Sequence, residues 1–338
     1  MRRCRAFTLI EVLVVVAIIS LLVSILMPSL ARAREQARQV VCAARMQQIS
    51  RAESAYESTN GGWFAGSPLT TGYFLARNNA WNPSLPGFYR FAVEWFDFAT
   101  PLIREMRGPS AVPNPNGDPN SDARKKMFLK VTEEPFHCPS NNEVTPAWPS
   151  STGFPVIRAP SYLSMSTIMR GGPDMYARAG SVFPKVEPYK VAQSPAWELK
   201  PPDPYMPRAE RIGRPSMKVF IADGLRFYDG TQMDYSTYPT GHKGMMCADP
   251  PSAYSTNLTE AREYMLARQY SYRHGRNNRI NAVFFDGHVE SLFADAKSGP
   301  DKPYTGTAVH PKYYYPSNTV INDSSKLHVR IEKGTKLP

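Results

Sequence analysis

From Phe7 to Met27 the chain runs for 21 residues in which the only charge is Glu11. As a helix rising about 1.5 Å per residue, this stretch covers the roughly 30 Å hydrocarbon thickness of a bilayer, and the pattern predicts a membrane span. The texture then changes but stays helical. Small and apolar residues recur at Leu30, Ala33, Ala37, Val41, Ala44, Ile49, Ala52 and Ala55, mostly three or four apart, with Arg32, Arg34, Gln36, Gln39, Arg45 and Arg51 on other faces. Asn60-Gly61-Gly62 is a stop signal. Span and amphipathic stretch together predict one helix of about 50 residues, about 75 Å long, which Pro28 is expected to bend or loosen by removing a backbone donor.

Beyond Gly62 long helical periodicity fades and prolines, glycines and aromatics become frequent. Pro109 to Pro119 and Pro195 to Pro207 read as exposed proline-rich loops. Phe91 to Met106, with Trp95, Phe96, Phe98, Leu102 and Ile103, is the candidate for a second, shorter helix. Two segments read as strands: Met217 to Ala222, ending in Asp223-Gly224, and Ile280 to Phe285, ending in Asp286-Gly287 before a further run from His288 to Phe293. Asp-Gly between two β-prone runs predicts a hairpin with a two-residue type I′ turn. The expected fold is α+β: a long N-terminal helix, half of it in the membrane, packed on an antiparallel sheet with long proline-rich loops. No internal repeat is present at a fixed period.

The lone carboxylate changes the meaning of the span. A charge near the bilayer centre costs about 2.5–3.5 kcal/mol on insertion scales, so an intramembrane Glu is by default a functional residue with a partner. An ordinary signal peptide is the competing reading, since Arg2, Arg3 and Arg5 form a basic n-region. Such h-regions are shorter, and Met27-Pro28-Ser29-Leu30 supplies no small-residue cleavage site. The string Ala6-Phe7-Thr8-Leu9-Ile10-Glu11 after a short basic stretch resembles the leader of type IV pilins and type II secretion pseudopilins. The resemblance implies cleavage between Ala6 and Phe7 by a prepilin peptidase, methylation of the new Phe7 amine, and pairing of Glu11 with that amine on a neighbouring subunit. The family usually has Gly where this chain has Ala6, and Pro28 falls where the family commonly has a proline.

The organisation that follows is a leader at 1–6, a transmembrane part of the spine helix at 7–27, its exposed amphipathic part at 28–60, and a globular domain at 61–338. Arginines flank the span on both sides, at 2, 3 and 5 and at 32, 34 and 38, so charge alone does not orient it. The resemblance implies a single pass through the inner membrane, with a cytoplasmic N-terminus and a domain in the periplasm or at the cell surface.

A second resemblance lies downstream. The run from Arg273-His274-Gly275 to Phe284-Phe285-Asp286-Gly287-His288-Val289 is similar to the C-terminal motif of a group of pilin-like proteins abundant in planctomycetes: a His, nine residues, then Asp-Gly. Cys42 with Gln48-Ile49 and Tyr56, Phe136-His137-Cys138-Pro139-Ser140, and Arg214-Pro215-Ser216 before Ala222-Asp223-Gly224 resemble further pieces of that group. Here eleven residues separate His274 from Asp286, two more than in the group, and the extra pair falls within 276–279.

Cys4 leaves with the leader, so an exported chain would carry Cys42, Cys138 and Cys247, enough for one disulfide. Cys138 with Cys247 is the preferred pair, because both lie in the globular part and Cys42 sits on a predicted helix. No CxxC spacing points to zinc. His274, Asp286 and His288 flank one turn and form a candidate metal or acid–base group, set against ordinary local hydrogen bonding. Asp223 and Asp229 are a candidate calcium pair without the run of oxygen ligands such a site needs. There is no Gly-x-Ser-x-Gly, Walker A or His-Glu-x-x-His string, so no enzyme, metal or cofactor is expected.

The formal charge of +11 becomes +8 without Arg2, Arg3 and Arg5. It is spread as single residues apart from Arg124-Lys125-Lys126, which reads as a solvated surface more than a nucleic-acid groove. Tyr313-Tyr314-Tyr315, Tyr270 and Tyr272 suit either loop packing or stacking on bases or sugars. The expected function is that of a structural pilin-like subunit of a secretion pseudopilus or pilus-like fibre, with the prepilin peptidase, other pilin subunits and an inner-membrane assembly platform as partners. The alternative is a membrane-anchored surface module binding polysaccharide or DNA.

Overall fold

The computed structural model describes residues 8–67, 98–108, 135–141, 144–146, 156–158, 161–169, 199–200, 202, 205–224, 247–248, 273–275, 278–294, 305–324, 327 and 329–338. Helix α1 (Leu9–Thr59) is 51 residues long, about 76 Å at the usual rise, and it passes through Pro28 without ending. Thr8 starts it: the Thr8 Oγ1 accepts the Glu11 N–H at 3.3 Å while Glu11 Oε2 accepts the Thr8 N–H at 2.9 Å. This capping box satisfies two donors that the first turn would leave open. At the other end the Gly62 N–H closes back on Glu57 O at 2.8 Å, with Gly61 and Gly62 both at positive φ.

The apolar run from Leu9 to Met27 is exposed throughout, and the first fully buried residue of α1 is Cys42. The buried face is Cys42, Met46, Ile49, Ser50, Ala52, Glu53 and Tyr56. Of the stripe expected from sequence, Ile49 and Ala52 lie on it, whereas Leu30, Ala33, Ala37, Val41, Ala44 and Ala55 are exposed. Val41 and Cys42 are neighbours in sequence but about 100° apart on a helix. The larger side chains of the Cys42–Met46–Ile49–Tyr56 line take the protein core, which leaves the line of small residues on the outside.

The short helix α2 (Ala99–Arg107) forms the C-terminal part of the segment expected to be helical; residues 91–97, with Trp95 and Phe96, lie outside the described residues, as does the proline-rich stretch 109–119. A single helical turn, α3, covers Ser166–Met169. The strands are β1 (Val144–Pro146), β2 (Val156–Arg158), β3 (Tyr162–Met165), β4 (Leu199–Lys200), β5 (Val219–Asp223), β6 (Cys247–Ala248), β7 (Arg279–Phe284), β8 (Val289–Phe293) and β9 (Val320–Ile321). Strands β3, β5, β7 and β8 form an antiparallel sheet in the order β3-β5-β7-β8, and β6 adds to the β3 edge in parallel. A long apolar helix on an antiparallel sheet is the α+β, pilin-like architecture expected.

Alternation along paired strands sends Tyr162, Ser164, Ile221, Asp223, Asn281, Val283 and Ser291 toward α1. There Gln39 Nε2 donates to Asn281 Oδ1 at 3.3 Å and Ser291 Oγ at 3.0 Å, and Asn281 Nδ2 returns a bond to Gln39 O at 3.1 Å. A bulge between Val219 and Ile221 turns Phe220 onto Phe98 and Phe285, with ring centres 5.8 and 5.1 Å away. The opposite face, including Ala282 and Phe284, is covered by the C-terminal segment, where Tyr313 meets Phe284 edge-on at 5.6 Å. Tyr314 and Tyr315 are buried in the core, so of the aromatics weighed for stacking on sugars or bases these two pack the protein interior.

The β7–β8 hairpin differs from the expected type I′ turn. Phe284 N–H bonds His288 O at 2.9 Å and Gly287 N–H bonds Phe284 O at 2.9 Å, which makes the loop three residues long. Gly287 alone has positive φ, at 90°. Asp286 keeps negative φ because its Oδ1 accepts the His288 N–H at 3.2 Å, an Asx-type closure that replaces the left-handed residue.

Gly306 is held against backbone. At φ 128°, ψ 176° it occupies a region essentially reserved for glycine, and a Cβ there would come within 2.2 Å of Phe293 O. Backbone strain and steric overlap each cost about 1–3 kcal/mol. Gly306→Ala is therefore expected to lower stability by about 2–6 kcal/mol, read as a shift in the urea midpoint at unchanged slope; a midpoint within error of wild type would contradict the geometry.

Candidate functional site

Four side chains from distant parts of the chain meet beneath the exposed half of the spine helix. Cys42 descends from α1, Cys138 comes from the loop 135–141, Asp223 ends β5, and His274 precedes β7. All four are fully buried, and one donor atom from each lies within 4.8 Å of the others. Asp223 is the hub. Its Oδ1 accepts the Cys42 thiol at 3.3 Å, and its Oδ2 meets His274 Nε2 at 3.2 Å and the Asn281 N–H at 2.8 Å. Cys138 Sγ stands 3.6 Å from His274 Nε2, and Tyr162 Oη donates to Cys42 Sγ at 3.4 Å.

The other imidazole nitrogen is also engaged. His274 Nδ1 lies 3.1 Å from Glu35 Oε1, and that carboxylate accepts the Ser140 hydroxyl at 2.9 Å and faces Arg38 at 3.9 Å. Backbone bonds run in both directions between His274 and Arg279, each 3.2 Å. These bonds anchor His274 to the start of β7.

The electrostatics are those of a charged buried pair. Burial disfavours the imidazolium, but hydrogen bonds and charge from Asp223 and Cys138 outweigh it and raise His274 to about 10. Cys138 is drawn down to about 5, chiefly by its hydrogen bond with Cys42; burial and Asp223 oppose this, and His274 and Arg273 add to it. Burial pushes the Cys42 thiol well up, reinforced by Cys138 and Asp223. A thiolate on Cys138 beside a thiol on Cys42 results, with two thiols, one imidazole and one carboxylate converging on one point. That donor set suits a tetrahedral, thiophilic metal ion.

The candidate grouping of His274 with Asp286 and His288, weighed against local hydrogen bonding, does not form. His274 stands before β7 and Asp286 after it, and six strand residues at about 3.3 Å each separate them by roughly 20 Å. Asp286 and His288 pair with one another at 2.5 Å on the exposed hairpin tip, and Gly287 faces Ser50 of α1. Cys138 is in no disulfide, so the preferred Cys138–Cys247 bridge is absent. Cys42, set aside because it lies on a helix, turns its side chain inward to Cys138, while the Cys247 backbone lies opposite Ser164 in β6. Asp229, Tyr270, Tyr272 and 124–126 are outside the described residues. Sequence reading missed the role of Asp223 and Glu35. The available signal was that Cys42, Cys138, Asp223 and His274 each sit in one of the separate motif pieces quoted above.

At the N-terminus, Glu11 is engaged with Thr8, whose hydroxyl lies 2.8 Å from Glu11 Oε2; Ala6 and Phe7 lie outside the described residues. A family model described as the prokaryotic N-terminal methylation motif matches residues 1–27. This match supports a type IV pilin-like protein. It implies processing by a prepilin peptidase and assembly with other pilin subunits, and with the exposed apolar helix it suits a single-pass membrane anchor. No curated protein and no solved structure matches the chain.

Proposed function

We propose that this protein is a structural, non-enzymatic subunit of a type II secretion pseudopilus or type IV pilus-like fibre, related to the planctomycete group with the C-terminal His…Asp-Gly motif. The observation that carries this reading is the methylation motif at the head of a helix whose first 33 residues, Leu9 to Val41, include none that is fully buried. The stripe of Leu30, Ala33, Ala37, Val41 and Ala44 extends that bare surface past the span and lets neighbouring helices approach closely. The subunit repeats by a head-to-tail contact, which generates an open helical fibre rather than a closed ring. The complete burial of Cys42, Cys138, Asp223 and His274 supports the non-enzymatic part, since substrate has no access to them.

In this reading the peptidase removes residues 1–6, the Phe7 amine is methylated, and the assembly platform draws the helix out of the inner membrane while the globular domain stays periplasmic or surface-exposed. Mass spectrometry of the mature N-terminus tests it: the expected terminus is N-methyl-Phe7. An intact Met1 would leave a membrane-anchored surface module as the better reading, and a terminus beyond Met27 would make the span a cleaved signal peptide and overturn the reading.

A further inference from the structure

We propose that Cys42, Cys138, Asp223 and His274 form a closed structural zinc site that fastens the spine helix to the sheet. The argument starts from distances. Zinc binds thiolate at about 2.3 Å and imidazole or carboxylate at about 2.0–2.2 Å, so the edges of a tetrahedron around it measure roughly 3.3–3.8 Å. With Asp223 Oδ2 as the carboxylate corner, two edges of the observed group are 3.6 Å from Cys138 Sγ to His274 Nε2 and 3.2 Å from His274 Nε2 to Asp223 Oδ2, and Cys42 Sγ stands 3.3 Å from the other oxygen, Asp223 Oδ1. One donor from each of the four residues stands within 4.8 Å of the others, so a contraction of about 1 Å at most along any edge closes the tetrahedron.

The surroundings fit as well. A zinc-bound histidine typically donates its other ring N–H to a carboxylate that is itself held in place. His274 does this through Nδ1 to Glu35, which Ser140 supports. Asp223 is oriented by the Asn281 N–H, and Cys42 by the Tyr162 hydroxyl. A donor set of two sulfurs, one nitrogen and one oxygen favours zinc over magnesium or calcium, which take six or more oxygens. Four protein ligands leave no open position, and all are fully buried, so the site is structural rather than catalytic.

On binding, the ion displaces the proton of the Cys42 thiol and the Nε2 proton of His274, and no electron moves. Two thiolates and a carboxylate against the dication leave one net negative charge, beside the guanidinium of Arg273, which donates to Gly224 O at 2.5 Å. The ligands come from α1, the 135–141 loop, β5 and the approach to β7, so the ion ties the helix to three separate pieces of the domain.

The test uses the full-length protein purified in detergent from membranes, without chelator or reductant. Elemental analysis is expected to find about one zinc per chain, and Cys42→Ser and His274→Ala are expected each to reduce it to about a tenth or less. Exchange of wild type into cobalt(II) is expected to give the intense visible bands of a tetrahedral thiolate site, a readout that does not depend on the variants folding. A metal-free protein, with either a Cys42–Cys138 disulfide or two free thiols in the non-reducing mass spectrum, overturns the proposal. So does zinc that survives both substitutions, or cobalt bound with six-coordinate spectra.

Discussion

Glu11→Val is expected to abolish fibre formation while leaving the protein in the membrane at normal abundance. Removing the carboxylate makes insertion easier, by at most the roughly 2.5–3.5 kcal/mol of a charge at the bilayer centre, and on the proposed pairing it strips the Phe7 amine of a neighbour of its partner. An unpaired charge in hydrocarbon then opposes association by a similar amount, on the order of a hundredfold in the association constant per contact. The capping box supplies a control, because Glu11 also holds Thr8. Glu11→Gln keeps a side chain able to close the box while losing the charge, and Thr8→Ala loses the box while keeping the charge at a cost of about 1 kcal/mol in helix stability. Pairing predicts that both Glu11 variants fail to assemble and that Thr8→Ala assembles. Cross-linking along the spine and filament yield from sheared cells decide the matter. Glu11→Gln filaments at wild-type yield would assign the residue to helix capping alone.

A chain beginning at Ser29 is expected to be soluble and cooperatively folded, and one beginning at Asn60 is expected not to fold. The first removes residues that cover nothing: the apolar side chains from Leu9 to Met27 are all exposed. The second removes the buried face of α1, including Met46, Ile49 and Tyr56, each at most 3 % exposed. Burial of a large apolar side chain contributes about 1.5–3 kcal/mol, so these three alone supply on the order of 6 kcal/mol, within the range of an entire domain's net stability. Circular dichroism should show mixed helix and strand for the longer chain, and thermal melting should be a single transition. A cooperative melt from the shorter chain would contradict the assignment of the helix to the core.

The pattern of exposed and apolar positions made the long helix and the three strands around 217–223 and 280–293 legible, because period and turn chemistry are local properties. The face of the helix was not legible in the same way. Ala33, Ala37, Val41 and Ala44 recur at helical spacing as regularly as Cys42, Met46, Ile49 and Tyr56 do, and only the sheet decides which line faces inward. The Asp286-Gly287 turn was located but mistyped, since a dipeptide signal does not reveal that the Asp286 carboxylate will bond to His288 N–H. The buried cluster escaped entirely. Its members stand at 42, 138, 223 and 274, so no short spacing marks them, and only the order of β5 beside β7, with α1 laid across both, makes them neighbours.

The contact of Glu35 with Ser140 and His274 has a geometric corollary for a subunit still in the bilayer. With the run up to Met27 in hydrocarbon, eight further residues, about 12 Å of helix, separate the end of the span from the first point where the domain grips it. The headgroup layer adds several ångströms to either side of the hydrocarbon core. A subunit anchored in this way would hold that grip just beyond the headgroups, with Arg32 and Arg34, both exposed, in the interval where anionic phosphates would meet them.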